Sequence, residues 1–184
     1  MADRAEHRRM TLAEFLEWDD GTDTHYELIG GQVFAMSPPS DAHGRIAGEL
    51  GYILRRQIKP PCQVVHQAGI VLADDRATFF EADIAVTCAP HRKDVKTTTD
   101  PVLVVEVLSP STATHDRTAK LIEYTSLPSV QEVLLVSSES CHAMLHRREG
   151  AHWVAEHFIG QATIELRSVA CRIELSEVYA GLDL

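Results

Sequence analysis

The chain has 184 residues, 45% of them hydrophobic and 24% charged, with a formal net charge of −10. That size and composition suit one soluble globular domain with a sizeable core, and the acidic balance speaks against affinity for polyanions, which comes largely from Lys and Arg contacts to phosphate. No apolar run approaches the length of a membrane span. The four cysteines (Cys62, Cys88, Cys141, Cys171) are scattered, with no Cys-x-x-Cys pair. This predicts neither a disulfide framework nor a zinc knuckle. Together with a polar first stretch that has no apolar signal core, it leads us to expect a cytoplasmic protein.

In chain order, Thr11-Leu12-Ala13-Glu14 is a capping-box pattern opening a short helix with Leu12, Phe15 and Leu16 on its apolar face; Asp19-Asp20-Gly21 ends it. Residues 25–29 and 32–36 read as a hairpin around Gly30-Gly31. Ser40 caps a longer helix with a buried stripe of Ile46, Leu50, Ile53, Leu54 and Ile58, stopped by Pro60-Pro61. Residues 62–66 and 69–72 read as two strands, with a turn at Asp74-Asp75-Arg76, followed by a strand around Asp83, a polar loop over 90–100 and a strand around Glu106. A helix over about 114–126 follows, with Thr114 as its cap and Pro128 at its exit, and then a strand over 130–136. Residues 141–147, 152–158, 163–166 and 171–175 form a meander with a short closing helix. No repeat or linker marks a domain boundary, so one domain spans 1–184, its core at about 40–136.

Glu106 lies within Pro101-Val102-Leu103-Val104-Val105-Glu106-Val107-Leu108, the composition of a strand buried on both faces. A carboxylate there loses much of its hydration, at a cost of several kcal/mol (order of magnitude) unless a partner or metal compensates. Phe79-Phe80-Glu81-Ala82-Asp83-Ile84-Ala85-Val86 repeats the pattern around Asp83. Two carboxylates on neighbouring strands are the smallest unit able to hold a divalent cation. Downstream, Asp116, Lys120 and Tyr124 share one helix face, from which Lys120 can reach back toward the strand ends. Two acids and one ammonium suit metal-assisted phosphodiester hydrolysis, the acids fixing the cation and the lysine orienting the nucleophile or offsetting charge.

These residues resemble the PD-(D/E)xK nuclease superfamily, and more closely a bacterial family described as putative restriction endonucleases. The resemblance covers about 11–136. It rests on Tyr26-Glu27-Leu28-Ile29-Gly30-Gly31, Met36-Ser37-Pro38-Pro39-Ser40, His43-Gly44-Arg45-Ile46, Ala82-Asp83-Ile84-Ala85-Val86 and Val104-Val105-Glu106-Val107-Leu108-Ser109-Pro110-Ser111-Thr112, then Lys120 and Tyr124. It implies an α/β fold with a mixed sheet: a restriction-endonuclease-like αβββαβ core, with an N-terminal helix-hairpin and a C-terminal β meander. It also implies a Mg²⁺ (or Mn²⁺) site, DNA as substrate and a homodimer. Asp83 and Glu106 match the metal-binding acids, with the Val107 carbonyl as a further ligand, while Glu27 and His43 match flanking positions. Two positions depart from the pattern. Ala82 stands where a proline usually precedes the first acid, and Leu108 replaces the lysine two residues after the second. Lys120 on the following helix is the replacement the resemblance suggests.

Other readings stay open at this level. Lys120 could instead pair with Asp116 along its helix, and Glu27 could be a surface acid. Gln67 could hydrogen-bond at the site. The set Cys141, His142, His146, His152 and His157 matches no zinc spacing and reads as strand surface. Basic patches fall at Arg55, Arg56 and Lys59, at His91, Arg92, Lys93 and Lys96, and at Arg147 and Arg148. A catalytically idle nuclease fold serving as a nucleic-acid or protein-binding module is the alternative, favoured by the net charge and by Leu108. A small-molecule phosphoesterase would share the same site chemistry.

Overall fold

A computed structural model describes residues 9–72, 77–93, 95–109 and 116–184, with side chains of the third helix from residue 119 onward. The turn expected at 74–76, the Thr114 cap and the Asp116–Lys120 pair lie outside the described residues.

The elements are α1 (Leu12–Glu17), β1 (Tyr26–Ile29), β2 (Gln32–Ala35), α2 (Asp41–Gln57), β3 (Gln63–Val71), β4 (Phe79–Thr87), β5 (Pro101–Leu108), α3 (Asp116–Ser126), β6 (Glu132–Ser137), β7 (His142–Glu149), β8 (His152–Ile159), β9 (Thr163–Leu166), a 3-10 turn (Arg167–Val169), β10 (Cys171–Glu174) and α4 (Leu175–Val178). The local signals act as their chemistry dictates. The Thr11 side chain accepts from the Glu14 N–H while the Glu14 carboxylate accepts from the Thr11 N–H. Ser40 accepts from the His43 N–H to start α2. The expected stripe of α2 is its buried face, with Ile46, Leu50, Ile53 and Leu54 at most 1% exposed.

Eight strands form one mixed sheet, ordered β2-β1-β4-β5-β6-β7-β8, with β3 on the other edge of β4. Among the described strands only β5 and β6 run parallel, and α3 lies on the connection between them. The apolar side chains of β5 divide between two faces. Leu103, Val105 and Val107 pack with α2, the β9–β10 hairpin and α4, while Val104 packs with Tyr124 of α3. The mixed-sheet expectation holds, and the sheet also takes in the N-terminal hairpin and the first two strands of the meander. The meander also divides: β7 and β8 extend the main sheet, whereas β9 and β10 pair separately and cover α2.

The two strands expected on either side of Gln67 are one. β3 pairs with β4 in one register from Gln63↔Thr87 to Val71↔Phe79, interrupted only at Gln67, which takes a left-handed φ of 48°. The cysteine expectation also needs correction, because Cys62 and Cys88 form a disulfide. They are 26 residues apart in sequence, and only the antiparallel β3–β4 register brings them opposite each other, one step beyond Gln63↔Thr87.

At the other end of the sheet, Arg147 (β7) donates to Glu132 (β6) at 2.9 Å, to Glu156 (β8) and to the Glu165 carbonyl (β9) at 2.7 Å. Glu132, 1% exposed, also accepts from the backbone N–H groups of Arg167 and Ser168. This buried pair ties the β9–β10 hairpin to the sheet. Arg147→Ala strands Glu132 without its countercharge, and urea unfolding should show a loss of about 3–5 kcal/mol; a loss near that of an exposed arginine would show the pair to be inconsequential.

Candidate active site

Strand β4 has β3 along one edge, while its opposite edge is shared. β1 pairs only at Phe79, and β5 takes over from Ile84 to Thr87. Between them the sheet opens into a notch beside Phe80–Asp83, and four of the predicted side chains enter it. Glu27 comes from β1, Asp83 from β4, Glu106 from the end of β5 and Lys120 from α3.

The notch leaves strand N–H groups without a strand partner, and carboxylates satisfy them. The Glu81 N–H donates to Glu27 at 3.1 Å, and the Val107 N–H donates to Asp83 at 2.7 Å. Asp83 and Glu106 are next in the antiparallel register after Ile84↔Val105, so their backbones face each other. The pleat explains why Asp83 can turn into the gap. Phe80 and Ala82 pack on the α3 side, yet Ile84 and Val86 pack on the α2 side, so the alternation reverses across Asp83. β3 reverses at the matching place, Gln67, where Val65 before it and Ala68 and Ile70 after it all face α3.

Lys120 reaches the notch. Its Nζ lies 2.7 Å from Glu27 Oε1 and 3.7 Å from Glu106 Oε1, and it sits over the Phe80 ring at 5.5 Å from the centroid. One turn further along α3, the buried Tyr124 hydroxyl donates to Glu106 Oε1 at 2.6 Å. Tyr124 acts on the acid directly, a role the sequence reading did not give it; the i,i+4 spacing from Lys120 was the available signal. His43 Nε2 lies 3.1 Å from Asp83 Oδ2, while His43 Nδ1 is buried without a hydrogen-bond partner among the described residues. Gln67, between the paired His66 and Ala68 of β3, is exposed. His142, Met144, His146 and His157 lie on β7 and β8, away from the notch, with His142 and His157 in mutual contact at 3.1 Å.

Burial dominates the electrostatics. Desolvation pushes the Glu106 carboxyl up to about 7, Lys120 opposes the rise, and the Asp83 and Glu27 charges add to it. The hydrogen bond to Asp83 raises His43 against its own desolvation. Burial and the Glu106 charge hold the Tyr124 proton on its oxygen, so the phenol remains a donor. Too much negative charge is gathered here for one ammonium to offset. Asp83 and Glu106 offer hard carboxylate oxygens of the kind that hold Mg²⁺ or Mn²⁺. No group of three or more His, Cys, Asp and Glu among the described residues forms a closed cage. A cation such as Mg²⁺ fits that arrangement, since it keeps several waters and shares oxygens with a phosphate substrate.

Residues 12–176 match the model of the Uma2 family, described as "Putative restriction endonuclease", and the chain belongs to that family. It is 30% identical over 177 residues to the uncharacterized protein slr1290 of Synechocystis sp., covering 95% of this chain and 93% of that one. It is 25% identical over 158 residues to sll1609 of the same organism, covering 83% and 89%. The fold superposes with a TM-score of 0.74 on the crystal structure of a "putative nuclease belonging to DUF820" from Anabaena variabilis, at 19% identity and covering 92% of this chain and 97% of that one.

The shifts at Glu106 and His43 have the same sign for stability. Glu106 is raised from 4.5 to about 7, so the folded state binds more protons in that window and stability falls as pH rises through it. His43 is raised above 6.5, so its contribution, complete below that value, is also lost on the alkaline side. Without divalent metal, denaturation should show stability falling between about pH 5 and pH 8, by at most roughly 3 kcal/mol from Glu106. Glu106→Gln should flatten that decline and be the more stable protein at the upper end. A Glu106→Gln protein that keeps the full decline would mean that the acid carries no such burden.

Proposed function

We propose that this member of the Uma2 family is a Mg²⁺- or Mn²⁺-dependent endonuclease that hydrolyses DNA phosphodiester bonds. The observation that supports this most is the position of the Lys120 ammonium, between Glu27 and Glu106 and beside the Asp83 strand. That is the charge the Leu108 substitution removes from β5, supplied instead by α3.

Asp83 and Glu106 would hold the metal, with the Val107 carbonyl as a further oxygen. When bound, the cation would polarise the phosphate and acidify water. The chain's own groups do the rest. The Val107 N–H and His43 fix the Asp83 rotamer, and because both engage Oδ2 they leave Oδ1 available. Tyr124 and Lys120 both address Glu106 Oε1 and leave Oε2 available. Each acid is thus held by one oxygen and presents the other. Lys120, anchored by Glu27, orients the attacking water and offsets the charge that develops on the phosphate. Glu27 acts through Lys120, and His43 through Asp83. A homodimer, which the resemblance implies, would bring the second site that cutting both strands of a duplex requires.

Purified protein should nick supercoiled plasmid with Mg²⁺ or Mn²⁺ and lose that activity on chelation. Asp83→Asn and Glu106→Gln should abolish it. Lys120→Ala should lower the rate at least about 100-fold, the scale of losing one charge-stabilising group, while Mn²⁺ binding by calorimetry persists. Equal nicking by wild type and Glu106→Gln would assign the activity to a contaminant. Metal-independent oligonucleotide binding with no cleavage would favour an idle binding module.

A further inference from the structure

Apart from the notch, a groove of about 320 Å³ runs along the outer edge of β3. One wall is the β3 row Gln63, Val65 and Gln67, and the other is formed by Thr87, residues 89–92 and residues 95–99. β3 has no strand partner on this edge, and that wall closes only part of it. The Thr98 N–H donates to the Gly69 carbonyl at 2.8 Å. The approach is so close that a Cβ at residue 69 would lie 2.2 Å from the Lys96 carbonyl oxygen. From Gln67 back to Gln63 the edge stays open, a span of roughly 13–14 Å at about 3.3 Å per residue.

The chemistry of the groove differs from that of the chain as a whole. In a protein of net charge −10, no described carboxylate lines it, whereas Arg92, Lys96 and His91 do, together with threonine hydroxyls and the amides of Gln63 and Gln67. Arg92 and Lys96 are exposed and make no ion pair with a described residue. Guanidinium, ammonium, hydroxyl and amide groups are those that contact phosphate and sugar oxygens. No Phe, Tyr or Trp offers a stacking platform for bases. Gln67 lines the groove, and its neighbours His66 and Ala68 pair with Ile84 and Ala82, so the groove lies one strand beyond the strand that carries Asp83.

We infer that this groove, one strand away from Asp83, holds the sugar-phosphate backbone of one nucleic-acid strand, with Arg92 and Lys96 as its phosphate contacts. The inference rests on the proposed hydrolysis of phosphodiesters, but its binding step can be read without cleavage. The groove contacts are indifferent to base identity and concentrate the positive field where the strand must pass, so a strongly acidic protein needs no basic surface elsewhere.

The test uses full-length Glu106→Gln protein in metal-free buffer, titrated into a fluorescein-labelled oligothymidylate and followed by anisotropy over a range of salt. Arg92→Ala/Lys96→Ala should weaken binding at least about tenfold and reduce the salt slope by about 1.4, the release expected from two single-strand phosphate contacts. Arg92→Lys/Lys96→Arg, which keeps the charges, should bind as the parent does and covers any misfolding of the alanine pair. Arg55→Ala/Arg56→Ala, on exposed positions of α2, should leave binding unchanged. The assignment is overturned if the parent does not bind, if the alanine pair binds with an unaltered salt slope, or if the α2 pair weakens binding as much. Loss of binding in the groove variant alone sustains it even if the wild type never cleaves DNA, in which case only the hydrolysis reading fails.

Discussion

A single ammonium among buried carboxylates governs the centre of this molecule. Lys120 Nζ lies within 2.7 Å of one glutamate and 3.7 Å of another, and the side chains of all three are at most 14% exposed. Ionised Glu27 and Glu106 would repel across a poorly solvated gap, and burial, with the Asp83 and Glu27 charges, pushes Glu106 up to about 7 even against Lys120 and the Tyr124 hydrogen bond. The ammonium makes that gap tolerable without abolishing the excess charge. It also ties the third helix of the chain to a sheet against which the described side chains of α3 pack chiefly through Tyr124 and Leu121. Structural and chemical demands therefore meet in one side chain.

The gap exists because the sheet divides. β4 is long enough to serve two partners on one edge, β1 at its start and β5 at its end, and neither covers the middle. Exposed strand N–H groups inside a protein are costly unless paired, and here side-chain carboxylates pair them, which in turn fixes the carboxylate rotamers. The pleat reversal at Asp83 and Gln67 is the second half of the arrangement. Regular alternation would commit Asp83 to one apolar face or the other, whereas the reversal lets it sit between them and take partners from β5 and from α2. A preorganised pair of acids follows from these two irregularities.

Charge is distributed with the same economy. Both partners of the Glu132–Arg147 pair are buried, and that ion pair serves to clamp the β9–β10 hairpin. Arg148 likewise donates to the carbonyls of Thr125, Leu127 and Val130, and its guanidinium covers Trp153. The third basic patch of the sequence is thus absorbed by structure. The patch of His91, Arg92 and Lys96 is not, and it lines the groove beside β3.

Much of this was legible in the chain. The capping box at Thr11, the Ser40 cap, the α2 stripe and the two acids set in apolar strands are local patterns. Each is determined by groups a few residues apart, and each forms as its chemistry dictates. The placement of Lys120 was suggested by the resemblance and by helical spacing, but the geometry that brings it to Glu27 belongs to the β5–α3–β6 crossover. What the sequence could not reveal depends on register between distant segments. Cys62 meets Cys88 only because β3 and β4 pair antiparallel. β3 is one strand because pairing with β4 resumes in the same register at Ala68 after a left-handed Gln67 that local propensity would read as a break. The buried partnership of Tyr124 with Glu106 and the groove beside β3 likewise arise from how layers stack. Periodicity reports which face of an element is apolar, while the identity of what lies against that face is fixed only when the long-range pairings close.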